Sequence, residues 1–224
     1  MQGRIIVVTG AAGALGAVLA ARLASAGAKV VGIDIAPAKE GSDLDAFFTA
    51  NLGNPDEVAA TAKLIGDHFG HVDGLVNVAG GFAWETVEAG SIETWDRLYD
   101  INVRSVVLVS KALLPLLRLK GGAVVNIGAS AAVRADAGMG AYAASKSAVA
   151  RLTESLANEL KDQHVRVNAV LPSIIDTPAN RRDMPDSDHD RWVQPAALAD
   201  VILFLLSDYA RAVTGASLPV TGRV

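Results

Sequence analysis

Residues 140–149 read GAYAASKSAV, a run of small residues that carries one phenol, Tyr142, and one ammonium, Lys146. The two lie four positions apart, so on a helix they share a face. A cation beside a phenol favours the phenolate, and the expectation is a Tyr142 pKa below the ~10 of free tyrosine. A phenol tuned in this way can give a proton to a carbonyl oxygen or take one from an alcohol. Hydride transfer at the attached carbon needs such a partner, because charge develops on that oxygen. The same spacing also arises in an amphipathic helix whose lysine merely reaches for water.

A second group of residues points to a dinucleotide. The stretch TGAAGALG (9–16) follows a β-branched run and precedes a helical one, with Gly10, Gly13 and Gly16 spaced three apart. Such a turn lets backbone approach a pyrophosphate, and the next helix offers its positive end. The strict G-x-G-x-x-G spelling is absent, and Ala14 stands where many related turns carry glycine. Without a ligand, the same turn would serve as a tight strand-to-helix connection. Asp34 closes the second strand 24 residues beyond Gly10. A carboxylate there can accept from ribose hydroxyls and repels a 2′-phosphate. No Arg or Lys lies in Ala11–Leu15 or directly after Asp34, and Lys39 is separated by a proline. The expected cofactor is therefore NAD(H) rather than NADP(H).

Positioning these groups takes alternating elements. Strands are expected at 4–9, 29–34, 46–51, 74–79, 123–128, 165–171 and 216–220. Helices are expected at about 14–26, 55–69, 91–119 (broken near Asn102), 141–162 and 195–207. Apolar runs flanked by helices are the mark of buried parallel strands joined by right-handed crossovers. The polar stretch NRRDMPDSDHDRW (180–192) reads as an insertion over a site. The 224 residues, 51% hydrophobic and 20% charged, suit one large α/β domain and not a disordered chain.

Net charge is −4 at pH 7, which argues against a nucleic-acid or anionic-membrane partner. The chain has no cysteine, so disulfides and thiolate metal sites are excluded. No run reaches the ~20 apolar residues of a membrane span, and a cytoplasmic location is expected. His68, His71, His164 and His189 lack metal-ligand spacing, and no metal is expected. Neither a phosphate-binding G-x-x-x-x-G-K-[ST] loop nor a G-x-S-x-G elbow occurs.

Taken in order, TGAAGALG (9–16), NVAG (77–80), Asn102 in DINV, VVNIGAS (124–130), YAASK (142–146) and PSIIDT (172–177) resemble the short-chain dehydrogenase/reductase family along nearly the whole chain. The resemblance implies a single doubly wound, Rossmann-type domain over 1–224, with a seven-stranded parallel sheet flanked by helices and a substrate lid at about 178–193. It implies Tyr142 as general acid/base, Lys146 as ribose anchor and pKa modulator, and Asn102 as holder of a relay water. Gly10, Gly13, Ala14, Leu15, Gly16, Asp34, Asn51, Leu52, Asn77, Ala79, Gly80, Pro172, Ile175 and Thr177 would bind cofactor, with Tyr142 and Lys146.

The chain departs from that pattern at three places. Asn51–Leu52 stands where the family usually has Asp before an apolar residue, and Ser173 replaces the glycine after Pro172. The serine expected thirteen residues before the tyrosine is Ala129, with Ser130 one residue later. Either the strand has ended and Ser130 swings into the site, or no serine helps. A local resemblance to the dihydropteridine reductase branch, around GASAAV…GMGAYAASK and LPSIIDTPANRRDMP, fits that gap. It implies reduction of a flat, reactive dihydropterin-type substrate. A conventional alcohol dehydrogenase or ketone reductase, and a non-catalytic dinucleotide sensor, are the alternatives. Trp84 and Trp192 could wall a flat ring or simply pack in loops, and Met184 could close over substrate or stay exposed. Surplus apolar residues at 103–119 and 141–160 point to a homodimer or homotetramer.

Overall fold

A computed structural model describes all 224 residues. Seven strands form one sheet in the order β3-β2-β1-β4-β5-β6-β7, and every neighbouring pair is parallel. The strands are β1 (Ile5–Thr9), β2 (Lys29–Asp34), β3 (Ala46–Thr49), β4 (Gly74–Asn77), β5 (Ala123–Ile127), β6 (Arg166–Pro172) and β7 (Ser217–Val220). This is the Rossmann-type, doubly wound arrangement. Its strand order reverses between β1 and β4, which opens a crevice at their carboxyl ends.

Alternation along each strand divides the core. Val8, Val30, Val76, Val125 and Val170 join a cluster of 21 buried residues on one face. There they pack against α1 (Ala14–Ser25) and α7 (Pro195–Leu206). Val7, Val31, Leu75, Val124 and Val167 join 18 on the other face. Their partners come from α2 (Pro55–Phe69), α4 (Ser105–Leu117) and α5 (Gly140–Leu160). Strands apolar on both sides are stable only when helices cover both faces.

The break expected near Asn102 is a π-helical turn at Asp100–Arg104, between α3 (Ile92–Tyr99) and α4. Such turns are commonest at functional sites. The strands expected at 46–51 and 74–79 end two residues early, at Thr49 and Asn77. Past Asn77 the chain leaves the ladder, and Thr9 Oγ1 accepts from Val78 N at 3.0 Å and Ala79 N at 3.2 Å. The side chain thus replaces the missing strand bonds.

The polar stretch expected as an irregular insertion contains a short helix, α6 (Pro178–Asp183), and a single turn of 3-10 helix at His189–Arg191. Thr177 caps α6 by accepting from Asn180 N at 3.2 Å. The base is pinned where Ile175 bridges Val193. Asp176 also takes Arg181 Nη2 at 2.7 Å and Gln194 Nε2 at 2.9 Å. These bonds, led by the Arg181 side chain, hold the Asp176 carboxyl well below the usual carboxylate range. Trp192 is buried at the end of this stretch, tilted against His189 at 4.4 Å.

Candidate active site

The glycine turn is built for close backbone contact. Gly10 has φ +65°, and a Cβ there would lie 2.9 Å from Ala79 N. A Cβ on Gly16 would lie 2.0 Å from Gly10 O. Neither position tolerates a side chain without moving backbone. Asp34 completes the turn, its carboxylate accepting from Ala12 N at 2.9 Å and Ala36 N at 3.0 Å.

A cleft of about 960 Å³ opens above this turn, a size that suits an extended small ligand. Gly10, Gly13, Ala14, Leu15, Gly16, Asp34, Asn51, Leu52, Ala79, Gly80, Ile175 and Thr177 line it. Four expected members do not: Asn77, Pro172, Tyr142 and Lys146. Asn77 is 3% exposed, because its amide faces inward to Asn126 Oδ1 at 2.9 Å. Pro172 ends β6 beneath the surface, paired with Val220 of β7. The sequence reading also missed the α3 side of the cleft, where Glu93, Asp96, Arg97 and Asp100 stand. Their i, i+3, i+4 and i+7 spacing on one helix face was the available signal.

Asn102 joins three elements. Its Oδ1 accepts from Gly81 N at 2.8 Å, and its Nδ2 donates to Gly81 O at 3.0 Å and Ser145 Oγ at 2.9 Å. Ser145 in turn donates to Tyr142 O at 2.7 Å. The Asn102 side chain thus holds the β4 loop against α5 with three of its four possible hydrogen bonds. The buried Ser145 was not anticipated.

Lys146 is 5% exposed and donates to Ile127 O at 2.8 Å. A Cβ on Gly80 would stand 3.3 Å from Lys146 Nζ, which puts the ammonium behind Gly80 and outside the cleft lining. Nζ is 5.9 Å from the centre of the Tyr142 ring. The expected fall in the Tyr142 pKa is not found. Burial pushes the phenol up to about 12 and pulls the Lys146 ammonium down to about 8. Desolvation of each group outweighs an attraction acting across that distance. Tyr142 thus stands as a neutral phenol at pH 7, the form that donates a proton.

The missing serine is also clarified. β5 has ended by Ile127, and Ser130 opens a short 3-10 turn, Ser130–Ala132. Ala129 is buried with Ala131 and Ala143, against Met139 and Tyr142. Ala129 thus belongs to the small apolar cluster against which Tyr142 packs, while Ser130, like Tyr142 itself, is absent from the cleft lining. Trp192 is buried and is absent from the cleft lining. The ring beside Tyr142 is instead Phe82, edge to face at 4.9 Å and 79°.

A parallel doubly wound sheet, a glycine turn at its switch point and a Tyr–Lys helix beside the cleft define a dinucleotide-binding oxidoreductase fold. A family model described as enoyl-(acyl carrier protein) reductase matches residues 10–222, and the chain belongs to the short-chain dehydrogenase/reductase family. It is 32% identical to a 3-oxoacyl-(acyl-carrier-protein) reductase of Vibrio cholerae, over 99% of this chain and 97% of that protein. It is likewise 32% identical to a D-threitol dehydrogenase of Mycolicibacterium smegmatis, over 99% and 93%. A short-chain type dehydrogenase/reductase from Mycobacterium ulcerans superposes with a TM-score of 0.92 at 29% identity, covering 100% of this chain and 90% of that one. These relatives support an oxidoreductase rather than a non-catalytic sensor. No helix is long and apolar enough to cross a membrane.

Proposed function

We propose that the protein is an NAD(H)-dependent oxidoreductase that reduces a carbonyl or imine-like carbon, or runs the reverse oxidation of an alcohol. The carrying observation is the buried Lys146 ammonium, set beside Tyr142 and directly behind Gly80 of the cleft. The residues fit the cofactor. Bare backbone at Gly10 and Gly16 leaves room for a pyrophosphate, and the Asp34 carboxylate lines the cleft for ribose hydroxyls. Arg97 is the one cation in the lining, against Asp34, Glu93, Asp96 and Asp100, so a 2′-phosphate would meet net negative charge.

Reduced nicotinamide held by these residues would supply the hydride, two electrons with a hydrogen, that the carbonyl carbon takes up. Tyr142 gives its phenolic proton to the oxygen as the carbon–oxygen double bond becomes single. Lys146 is placed to hold ribose and to stabilise the phenolate that remains. Asn102 and Ser145 fix the β4 loop relative to the Tyr142 turn. Residues 178–193 act as the substrate lid. The chain works as a homodimer or homotetramer in the cytoplasm.

The narrower reading is reduction of a flat conjugated substrate of dihydropterin type. Ala129, in the place where a serine was expected and within the apolar cluster against which Tyr142 packs, supports it, because a reactive substrate needs less polarisation than an isolated ketone. A conventional ketone reductase or alcohol dehydrogenase is the second reading, favoured by the names of the two relatives. NADH consumption with quinonoid dihydropterin, simple ketones and diketones separates the two. Turnover confined to simple ketones would reject the narrower reading, and turnover only with NADPH would reject the Asp34 assignment.

A further inference from the structure

Tyr142 sits at the bottom of an unusual concentration of exposed rings. Phe82 is 52% exposed although it touches the phenol ring, and Trp84 and Trp95 are 61% and 38% exposed. Exposed apolar surface of this kind beside a reactive group marks a binding site. The rings are held in place before any ligand arrives. Trp84 Nε1 donates to Ala137 O at 3.0 Å, which leaves only apolar ring to meet a ligand. Gly138 has φ +78°, and a Cβ there would come within 2.2 Å of Trp84 Cε2. A Cβ on Gly140 would lie 3.4 Å from the Trp95 ring.

Glu85 ties the pieces together. Its N–H donates to Gly138 O at 2.8 Å, and its carboxylate accepts from Thr94 Oγ1 at 2.8 Å and Ser91 N at 3.1 Å. The loop carrying Phe82 and Trp84, the start of α3 and the entry to α5 are therefore one bonded unit. Beneath it, Tyr142 and Met139 pack against the cluster of Ala129, Ala131 and Ala143. A second donor to a developing oxyanion is typically worth ~10²–10³ in rate, so with Ala129 standing where a serine donor was expected, a substrate that carries its own activation fits the site.

We infer that Phe82, Trp84 and Trp95 form a preassembled aromatic mouth for an uncharged, flat, ring-bearing carbonyl compound whose carbonyl is activated by conjugation or by a second adjacent carbonyl. The inference rests on the oxidoreductase reading and narrows its substrate class. Phe82 sets the preference for a ring, because it stands edge to face against Tyr142 while half of its surface stays open to a ligand.

The test compares 1-phenylpropane-1,2-dione with butane-2,3-dione, which carry the same activated carbonyl pair with and without a ring. Both are titrated against wild type, Phe82→Leu and Trp84→Leu, reading tryptophan fluorescence for binding and NADH consumption for turnover. Wild type should favour the phenyl compound by about tenfold, and either variant should lower that ratio by about tenfold. No preference in wild type, or equal losses on both compounds, would overturn the inference. So would variants that change from oligomer to monomer by light scattering, which would make the patch a subunit interface. Binding of the phenyl compound without NADH consumption would leave the mouth standing and reject the reaction instead.

Discussion

Replacing Lys146 with Met keeps much of the side-chain volume and removes the buried charge. Lys146 is 5% exposed, and burial brings its ammonium from 10.5 to about 8. Between those two values the unfolded chain holds a proton that the native protein has released. Stability therefore rises with pH across that window. At 1.36 kcal/mol per pKa unit the full effect is about 3 kcal/mol, most of it gained between roughly pH 7 and pH 10. Tyr142 works in the opposite direction. Its pKa is raised to about 12, so its contribution is complete below about pH 10 and is lost as pH climbs towards 12. It is present in both proteins, so it largely cancels in the comparison. The assay is urea unfolding followed by circular dichroism at pH 7, 8, 9 and 10, for wild type and Lys146→Met. Wild type should gain about 2–3 kcal/mol on the variant from the lowest pH to the highest. Parallel curves would refute the desolvated ammonium, and with it the reason for its position behind Gly80.

Ser145→Ala removes the link between Asn102 Nδ2 and Tyr142 O. It should cost about 1–3 kcal/mol in urea unfolding, and should lower kcat while shifting the alkaline limb of the pH–rate profile. Gly16→Ala drives a methyl onto Gly10 O, and should weaken NADH binding in a fluorescence titration by at least about tenfold. Asp34→Asn removes the charge facing the ribose end, and should raise the NADPH-to-NADH affinity ratio by about tenfold in the same titration.

The strands were legible because buried parallel strands write themselves as β-branched runs, and Val7, Val8, Val30 and Val31 are buried on opposite faces as that pattern requires. The glycine turn was legible because Gly10 and Gly16 answer to local backbone geometry. What the sequence hid was tertiary. Asn77 matched a motif, yet its amide turns inward to Asn126. Tyr142 and Lys146 were correctly placed as neighbours on α5, but their ionisation was misjudged, since spacing says nothing of desolvation. Phe82 drew no attention because its importance comes from α5, far along the chain. Of the two tryptophans that drew notice by type, Trp84 lies in the mouth and Trp192 is buried, while Trp95, also in the mouth, drew none.

The central claim is that the Tyr142 phenol delivers the proton while nicotinamide delivers hydride. The most direct measurement is a single turnover of bound NADH with an accepted carbonyl substrate, in wild type and Tyr142→Phe, after confirming equal NADH affinity. The account predicts that the variant binds NADH normally and loses at least about a hundredfold in the rate of NADH oxidation. Oxidation at the wild-type rate without the hydroxyl would contradict it.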